Sequence, residues 1–237
     1  MKLRNWDNLP EFMKCEEIRE YYDILAKRKR TLGVKRIFDI VVAAIMLFIL
    51  AIPMLIIAVM IRLDSSGPVF YRQERVTAYG RKFRIHKFRT MVKNADKIGS
   101  AVTVGKDDRI TKVGSILRNL RIDELPQLID ILIGDMSFVG TRPEAVKYVK
   151  RYSKEMYATL LLPAGITSEA SIRYKDEAAL LAGVDNVDKV YLEEVLPEKM
   201  KYNLQSIRRF SFLREIATML RTVFAVLGKE KSDKRRV

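Results

Sequence analysis

Between Ile40 and Ile61 the chain reads IVVAAIMLFILAIPMLIIAVMI, 22 residues without a charge. Wound as a helix at ~1.5 Å per residue, that stretch would reach ~33 Å, close to the ~30 Å hydrocarbon core of a bilayer. It begins too deep in the chain for a cleaved secretory signal, and no small-residue cleavage site follows it. The stretch therefore reads as a membrane segment, with a buried core helix as the weaker alternative. Both flanks are basic: Lys27 to Arg30, Lys35 and Arg36 precede it, and Arg62, Arg72 and Arg75 follow. The positive-inside rule would keep both ends on the cytoplasmic side. Pro53 lies within the run, where it has no N–H for the Ile49 carbonyl and its ring crowds that turn. A kink there favours re-entry over a simple span, although proline kinks also occur in spanning helices.

Charge narrows the choice of partner. Lys and Arg number 44 against 29 Asp and Glu, a formal +15, which asks for nucleic acid, anionic lipid or a phosphorylated substrate. No nucleic-acid motif is present, and the basic flanks already have a membrane explanation, so no nucleic-acid partner is expected. Cys15 is the only cysteine and His86 the only histidine. That excludes an intramolecular disulfide, a histidine triad and a multi-histidine metal site. Cys15 reads as a small packing residue.

The rest of the chain reads as α+β and mostly helical. Asn8, Pro10 and Glu11 open a helical pattern carrying Phe12, Ile18, Tyr22 and Leu25, fitted either to a membrane surface or to packing on the domain. VFYRQERV and RKFRIHKFRTM, joined through TAYG, predict a β-hairpin, with Phe83, Ile85 and Lys87 on one face. A polar, Gly-containing loop covers NADKIGSAVTVGKDDRIT, and KVGSILRNL a short helix. Leu125, Leu128, Ile129 and Leu132 predict another helix, with Asp123 at the N-cap and Gly134 at the C-terminal cap. LLPAGITSEAS reads as a turn cluster, and YKDEAALLAG and VDKVYLEEVLPEKMKYNLQ as polar helices. Leu213, Ile216, Leu220, Val223 and Leu227 form the stripe of a last basic, amphipathic helix, membrane-surface or core. KEKSDKRRV is a charged tail.

Asp123 and Glu124 stand side by side at a helix start, a place that also favours phosphate. Lys87, Arg109, Arg118 and Arg142 are the spaced cations around them in sequence. Carboxylates with Arg and Lys suit phosphoryl transfer: one acid can attack phosphorus, the other can hold Mg²⁺, and the cations neutralise phosphate oxygens. A pair of acids alone does not single out this scheme from a simple helix cap.

Several stretches, in order, resemble the bacterial sugar transferases, the monotopic phosphoglycosyl transferases: KRIFDIVVAAIMLFILAIP, SSGPVFYRQERV, KFRTM, DDRITKVGSILR, DELPQL, GDMSFVG and RPE. The resemblance covers roughly Val34 to Glu144 and looks like the minimal members. It implies transfer of a phosphosugar from a UDP-sugar to polyprenyl (undecaprenyl) phosphate, with loss of UMP, in glycoconjugate or exopolysaccharide synthesis. It implies Asp123 as nucleophile in a covalent ping-pong route and Glu124 as its partner, with Mg²⁺ at Glu124 and Asp123. A variant of the route has the lipid phosphate attack directly. The resemblance further implies phosphate or nucleotide contacts from Lys87, Arg118, Arg142, Pro143 and Glu144, and Pro53 as the break of a re-entrant helix; Arg109 joins the phosphate-binding candidates as one of the spaced cations, apart from the resemblance.

The implied fold is a small cytosolic catalytic domain with a β-hairpin, anchored by a Pro-kinked re-entrant helix and amphipathic interfacial helices. It divides as residues 1–35 (amphipathic helix and lead-in), 36–63 (membrane helix-break-helix), 64–228 (catalytic domain) and 229–237 (tail). The implied place is the cytoplasmic face of the bacterial inner membrane, against anionic headgroups; a homodimer is neither required nor excluded. Three positions depart from the family pattern: Thr141 where proline is common, Arg121 where serine is usual, and Asp130 for a common asparagine. The sugar is not implied.

Overall fold

The charge-free stretch lies within one 36-residue helix, α2 (Lys29–Asp64), which follows α1 (Glu16–Ala26). The structure, a computed structural model, describes residues 1–95, 107–181, 184 and 186–226. Most of the polar loop after Asn94 and the charged tail lie outside the described residues. Leu32, Lys35, Asp39, Ala43 and Ile61 form the buried stripe of α2. Its other faces stay open, with Phe48 86% and Ile52 72% exposed. A soluble core helix would bury those side chains, so length, composition and exposure together suit membrane anchoring. The helix is continuous across Pro53. The helix-break-helix expected there is not a gap in helical structure, because proline deletes one N–H and the turns on either side supply the rest of the ladder.

Both ends of α2 are tied to the same folded unit. Near its start, Arg36 donates to the carbonyls of Ile131 (2.6 Å) and Leu132 (3.0 Å), and Asp39 accepts the Ser137 hydroxyl at 2.7 Å. At its end, Asp64 accepts the Val113 N–H at 3.0 Å, and buried Arg89 donates to the carbonyls of Ile61 (3.2 Å) and Ser65 (2.6 Å).

The hairpin forms as expected: β1 (Phe70–Val76) pairs antiparallel with β2 (Lys82–Phe88), with Tyr71 opposite Lys87. After α3 (Lys112–Asn119) a short turn, Ile122–Glu124, leads into α4 (Gln127–Ile133). Gly134 ends α4 at φ 100°, the left-handed C-terminal position expected of it. A second, parallel pair, β3 (Met136–Val139) with β4 (Ala164–Thr167), was not legible beforehand, and β4 falls in the supposed turn cluster. It depends on glycine: a Cβ on Gly165 would stand 2.1 Å from the Gly140 nitrogen. Short helices α5 (Val146–Val149), α6 (Glu169–Arg173), α7 (Glu177–Leu180) and α8 (Val187–Val190) lead to α9 (Leu196–Arg208) and α10 (Phe212–Val226).

The N-terminal segment is part of the domain core. Its helix starts at Glu16, after two short turns, rather than at Asn8 or Pro10. Met13, Ile18, Tyr21 and Leu25 are wholly buried in one cluster with Leu161, Leu196 and Met200, whereas Phe12 stays exposed. Packing on the domain, one of two compatible readings of this helix, is observed. A second cluster joins Ala43 of α2 to Phe83, Ile85, Leu128 and Met136; a third joins Ile61 to Phe88 and Leu117. The acidic pair sits where β2, α3 and α4 meet these last two.

Candidate active site

Arg121 sets the turn that carries the two acids. It has φ 55° and ψ 23°, a left-handed conformation that costs a side-chain-bearing residue ~1 kcal/mol or more. This reverses the chain after α3 and brings Ile122–Glu124 into a tight turn ahead of α4. Its guanidinium is anchored on the Lys175 carbonyl at 2.7 Å. Asp123 is therefore not the cap of α4. The residue before α4 is Pro126, which makes no side-chain cap, and Asp123 lies inside the preceding turn. The sequence placed a cap there because Asp three residues before a proline matches a helix start; the left-handed Arg121 overrides that signal.

Glu124 is paired with two cations. Lys87 of β2 donates to its Oε1 at 2.7 Å, and Arg142 reaches both oxygens, with Nη1 3.2 Å from Oε2 and Nη2 on Oε1. Burial alone would push the Glu124 carboxyl up, but Arg142 and Lys87 outweigh it and hold the group well below the usual carboxylate range. Lys87 pays for the site: desolvation lowers its pKa, and Glu124 counters. The guanidinium of Arg142 is held protonated by Glu124.

Asp123 differs. No side-chain donor binds it among the described residues. Burial raises its pKa, the Glu124 charge adds to that, and Lys87 and Arg118 pull the other way. The sequence-derived set Lys87, Arg118, Arg142, Asp123 and Glu124 is thus brought together.

Three other candidates are engaged elsewhere. Arg109 forks onto Asp107 (Nε 2.8 Å, Nη2 2.6 Å) and donates to the Ala95 carbonyl at 2.9 Å, holding Asp107 down to about 2. Glu144 is buried, accepts the Tyr191 hydroxyl at 2.6 Å and lies 3.8 Å from Lys199. Lys199 also binds Glu177 at 2.6 Å. The Pro143 carbonyl faces Arg75 Nη1 at 3.5 Å. Glu144 and Pro143 thus belong to a buried polar network next to Arg142. Arg75, Tyr191, Glu177 and Lys199 carried no local sequence signal for that network.

Further residues support the site. Asp130 of α4, fully buried, accepts the His86 backbone N–H (2.9 Å) and contacts the ring Nδ1 (2.6 Å). That bond fixes the free edge of β2 against α4, and the next residue on β2 is Lys87. Gln127, 1% exposed, has neither amide atom hydrogen-bonded, and it lies four residues beyond Asp123. Among the described residues no third Asp, Glu, His or Cys groups with the two acids as a metal cage. Two carboxylates fit Mg²⁺ nonetheless, since that ion is held by one or two of them together with substrate phosphates.

A half-free carboxylate beside a cation-paired one, in a domain joined to an apolar helix, can chemically serve phosphoryl transfer. The chain belongs to the bacterial sugar transferase family, which matches residues 30–229. It is 34% identical over 198 residues to the UDP-N-acetylgalactosamine-undecaprenyl-phosphate N-acetylgalactosaminephosphotransferase of Aeromonas hydrophila, covering 82% of this chain and 44% of that protein. It is 37% identical over 201 residues to the UDP-glucose:undecaprenyl-phosphate glucose-1-phosphate transferase of Caulobacter vibrioides, covering 84% and 71%. Over 116 residues it is 44% identical to the exopolysaccharide production protein PSS of Rhizobium leguminosarum, covering 48% and 58%. The chain thus spans less than half of the Aeromonas relative, and the two transferases carry different sugars in their names.

Proposed function

We propose that the chain transfers a sugar 1-phosphate from a UDP-sugar to polyprenyl phosphate. The observation that carries this reading is the division of labour between the two acids. Glu124 is pinned by Lys87 and Arg142, while Asp123, its basicity raised by burial, keeps its oxygens for an incoming phosphorus. The relatives' names, UDP-sugars with undecaprenyl phosphate, support the substrate classes.

In the proposed first step an Asp123 oxygen attacks the sugar-bearing phosphorus. The bond to the bridging oxygen breaks, and UMP leaves with that electron pair. In the second step an oxygen of polyprenyl phosphate attacks the same phosphorus, freeing the Asp123 carboxylate and giving the polyprenyl diphosphate sugar. Lys87, Arg118 and Arg142 lower the repulsion between an anionic nucleophile and an anionic diphosphate. Mg²⁺, held by Asp123 and Glu124 with the diphosphate, would neutralise further charge there. The domain sits against the bilayer on its cytoplasmic side; the exposed apolar faces of α2 and α10 and the positive-inside argument support this reading.

The test is label transfer. With UDP-sugar radiolabelled in the sugar and no lipid acceptor, the purified protein should become covalently labelled. Asp123→Asn should abolish both the label and UMP release. Turnover without any label in the wild-type chain would shift the reading to direct attack by the lipid phosphate, and full activity in Asp123→Asn would end both.

A further inference from the structure

A cavity of about 350 Å³ lies between α6, α9 and α10, and none of Asp123, Glu124, Lys87, Arg118 and Arg142 lines it. Asn203 of α9 does: it is 5% exposed, its Oδ1 has no hydrogen-bond partner, and its Nδ2 meets only the Met200 sulfur at 3.8 Å. Buried amides are normally satisfied, so an orphaned one on a cavity wall points to a ligand group that fills it. A hydroxyl suits, since it serves either end of an amide. Along the same cavity Arg209, at the end of α9, and Arg214, in the first turn of α10, are exposed. Neither forms an ion pair among the described residues, so both guanidiniums are open to an anion. Arg173 and Arg221, by contrast, share Glu169, at 3.1 and 2.7 Å.

The position of the cavity indicates the source of that ligand. On another side of α10, Leu213, Leu220, Val223 and Phe224 are exposed, Leu213 by 78%. The helix is joined to α2 through the Phe38–Phe212 ring contact, centroids 5.4 Å apart, and through the Lys35–Glu215 pair. Apolar side chains that enter the bilayer from α10 would set Arg209 and Arg214 at headgroup depth. The volume is at the small end for ligand pockets, enough for a headgroup and not for acyl chains.

We propose that this cavity takes the phosphoglycerol headgroup of an anionic phospholipid, its phosphate between Arg209 and Arg214 and a glycerol hydroxyl on Asn203. The proposal rests on the membrane-facing reading of α2 and α10 and not on the chemistry of Asp123.

The full chain, stripped of lipid in detergent, is titrated with phosphatidylglycerol, phosphatidylcholine, glycerol 3-phosphate or a UDP-sugar and examined by native mass spectrometry. One phosphatidylglycerol should be retained per chain in preference to phosphatidylcholine. The double variant Arg209→Gln/Arg214→Gln should weaken it at least about tenfold, as loss of charge-assisted hydrogen bonds predicts. Asn203→Leu should weaken it as well; if that buried change prevents folding, the exposed arginine pair decides alone. Equal retention of both lipids, or phosphatidylglycerol binding that survives the arginine changes, overturns the site. Binding of UDP-sugar or glycerol phosphate that is lost in the arginine variant, with phosphatidylglycerol unaffected, assigns the cavity to a soluble ligand and overturns the lipid. Flotation of the variants with phosphatidylcholine vesicles separates these results from failure of the membrane reading itself, which would leave the wild-type chain at the bottom of the gradient.

Discussion

Burial and the neighbouring Glu124 charge both raise the proton affinity of Asp123 in the folded chain. Unfolded, the group would titrate near ~3.9. Between that value and the higher folded one, the native state binds more protons than the unfolded state, so stability falls as pH rises through the window. Above the folded value the full penalty of holding the ionised acid is present. Asp123→Asn keeps the shape and removes the charge, so it should raise the thermal midpoint, by about 2–4 °C for each kcal/mol regained in a chain of this size, while abolishing turnover. Scanning calorimetry beside a UMP-release assay checks both; a lower midpoint would show that Asp123 stabilises the fold and is not held at a cost. The same shift places the acid limb of the activity profile above the ordinary carboxylate range, because attack needs the ionised form. Asp123, Glu124, Lys87, Arg118 and Arg142 could all be named from the sequence. Their division of labour could not, because it depends on which acid the two cations reach across the fold.

Among the elements, α2 is secured by a charge cluster rather than by apolar contact alone. Lys35, 2% exposed, donates to the Val139 carbonyl at 3.1 Å and to Glu215 of α10, with Asp39 3.9 Å away. One side chain thus joins α2, β3 and α10. Lys35→Met keeps the bulk but leaves buried Asp39 and partly buried Glu215 without their cation, and loss of one partner from such a cluster costs about 3–5 kcal/mol. Denaturant unfolding should show that loss, and Lys35→Met/Glu215→Met should recover part of it; an unchanged midpoint in the single variant would mean the cluster does not hold α2. The hairpin and the helix Lys112–Asn119 were legible because alternation, turn residues and helical spacing are local signals. The parallel pair β3–β4 was not: each strand has four residues, and what joins them is the close approach of Gly140 and Gly165, 25 positions apart. At Pro53 the helical ladder runs on, since proline removes one N–H and the turns on either side keep theirs.

For the molecule as a whole, the question is how a 36-residue helix sits in a bilayer when both its ends are fastened to one domain. Arg36 and Asp39 bind α4 and β3; Asp64 and Ile61 bind α3 and Arg89. A helix crossing the ~30 Å hydrocarbon layer would leave its two ends on opposite faces, and a single folded unit cannot hold both there without its polar surface entering lipid. We propose, on these contacts, that the open faces around Phe48 and Ile52 enter and return on one side, with Pro53 near the deepest point. The +15 charge, drawn to anionic headgroups, acts in the same sense. Cys15 makes the test clean, because Cys15→Ser leaves no other thiol. In that background Arg28→Cys and Ser66→Cys report the two ends of α2. In sealed inverted membrane vesicles both should react with a membrane-impermeant maleimide, and in right-side-out vesicles neither should until detergent is added. Opposite accessibility of the two positions would make α2 a spanning helix and would require the contacts of one of its ends with the domain to be broken in the membrane.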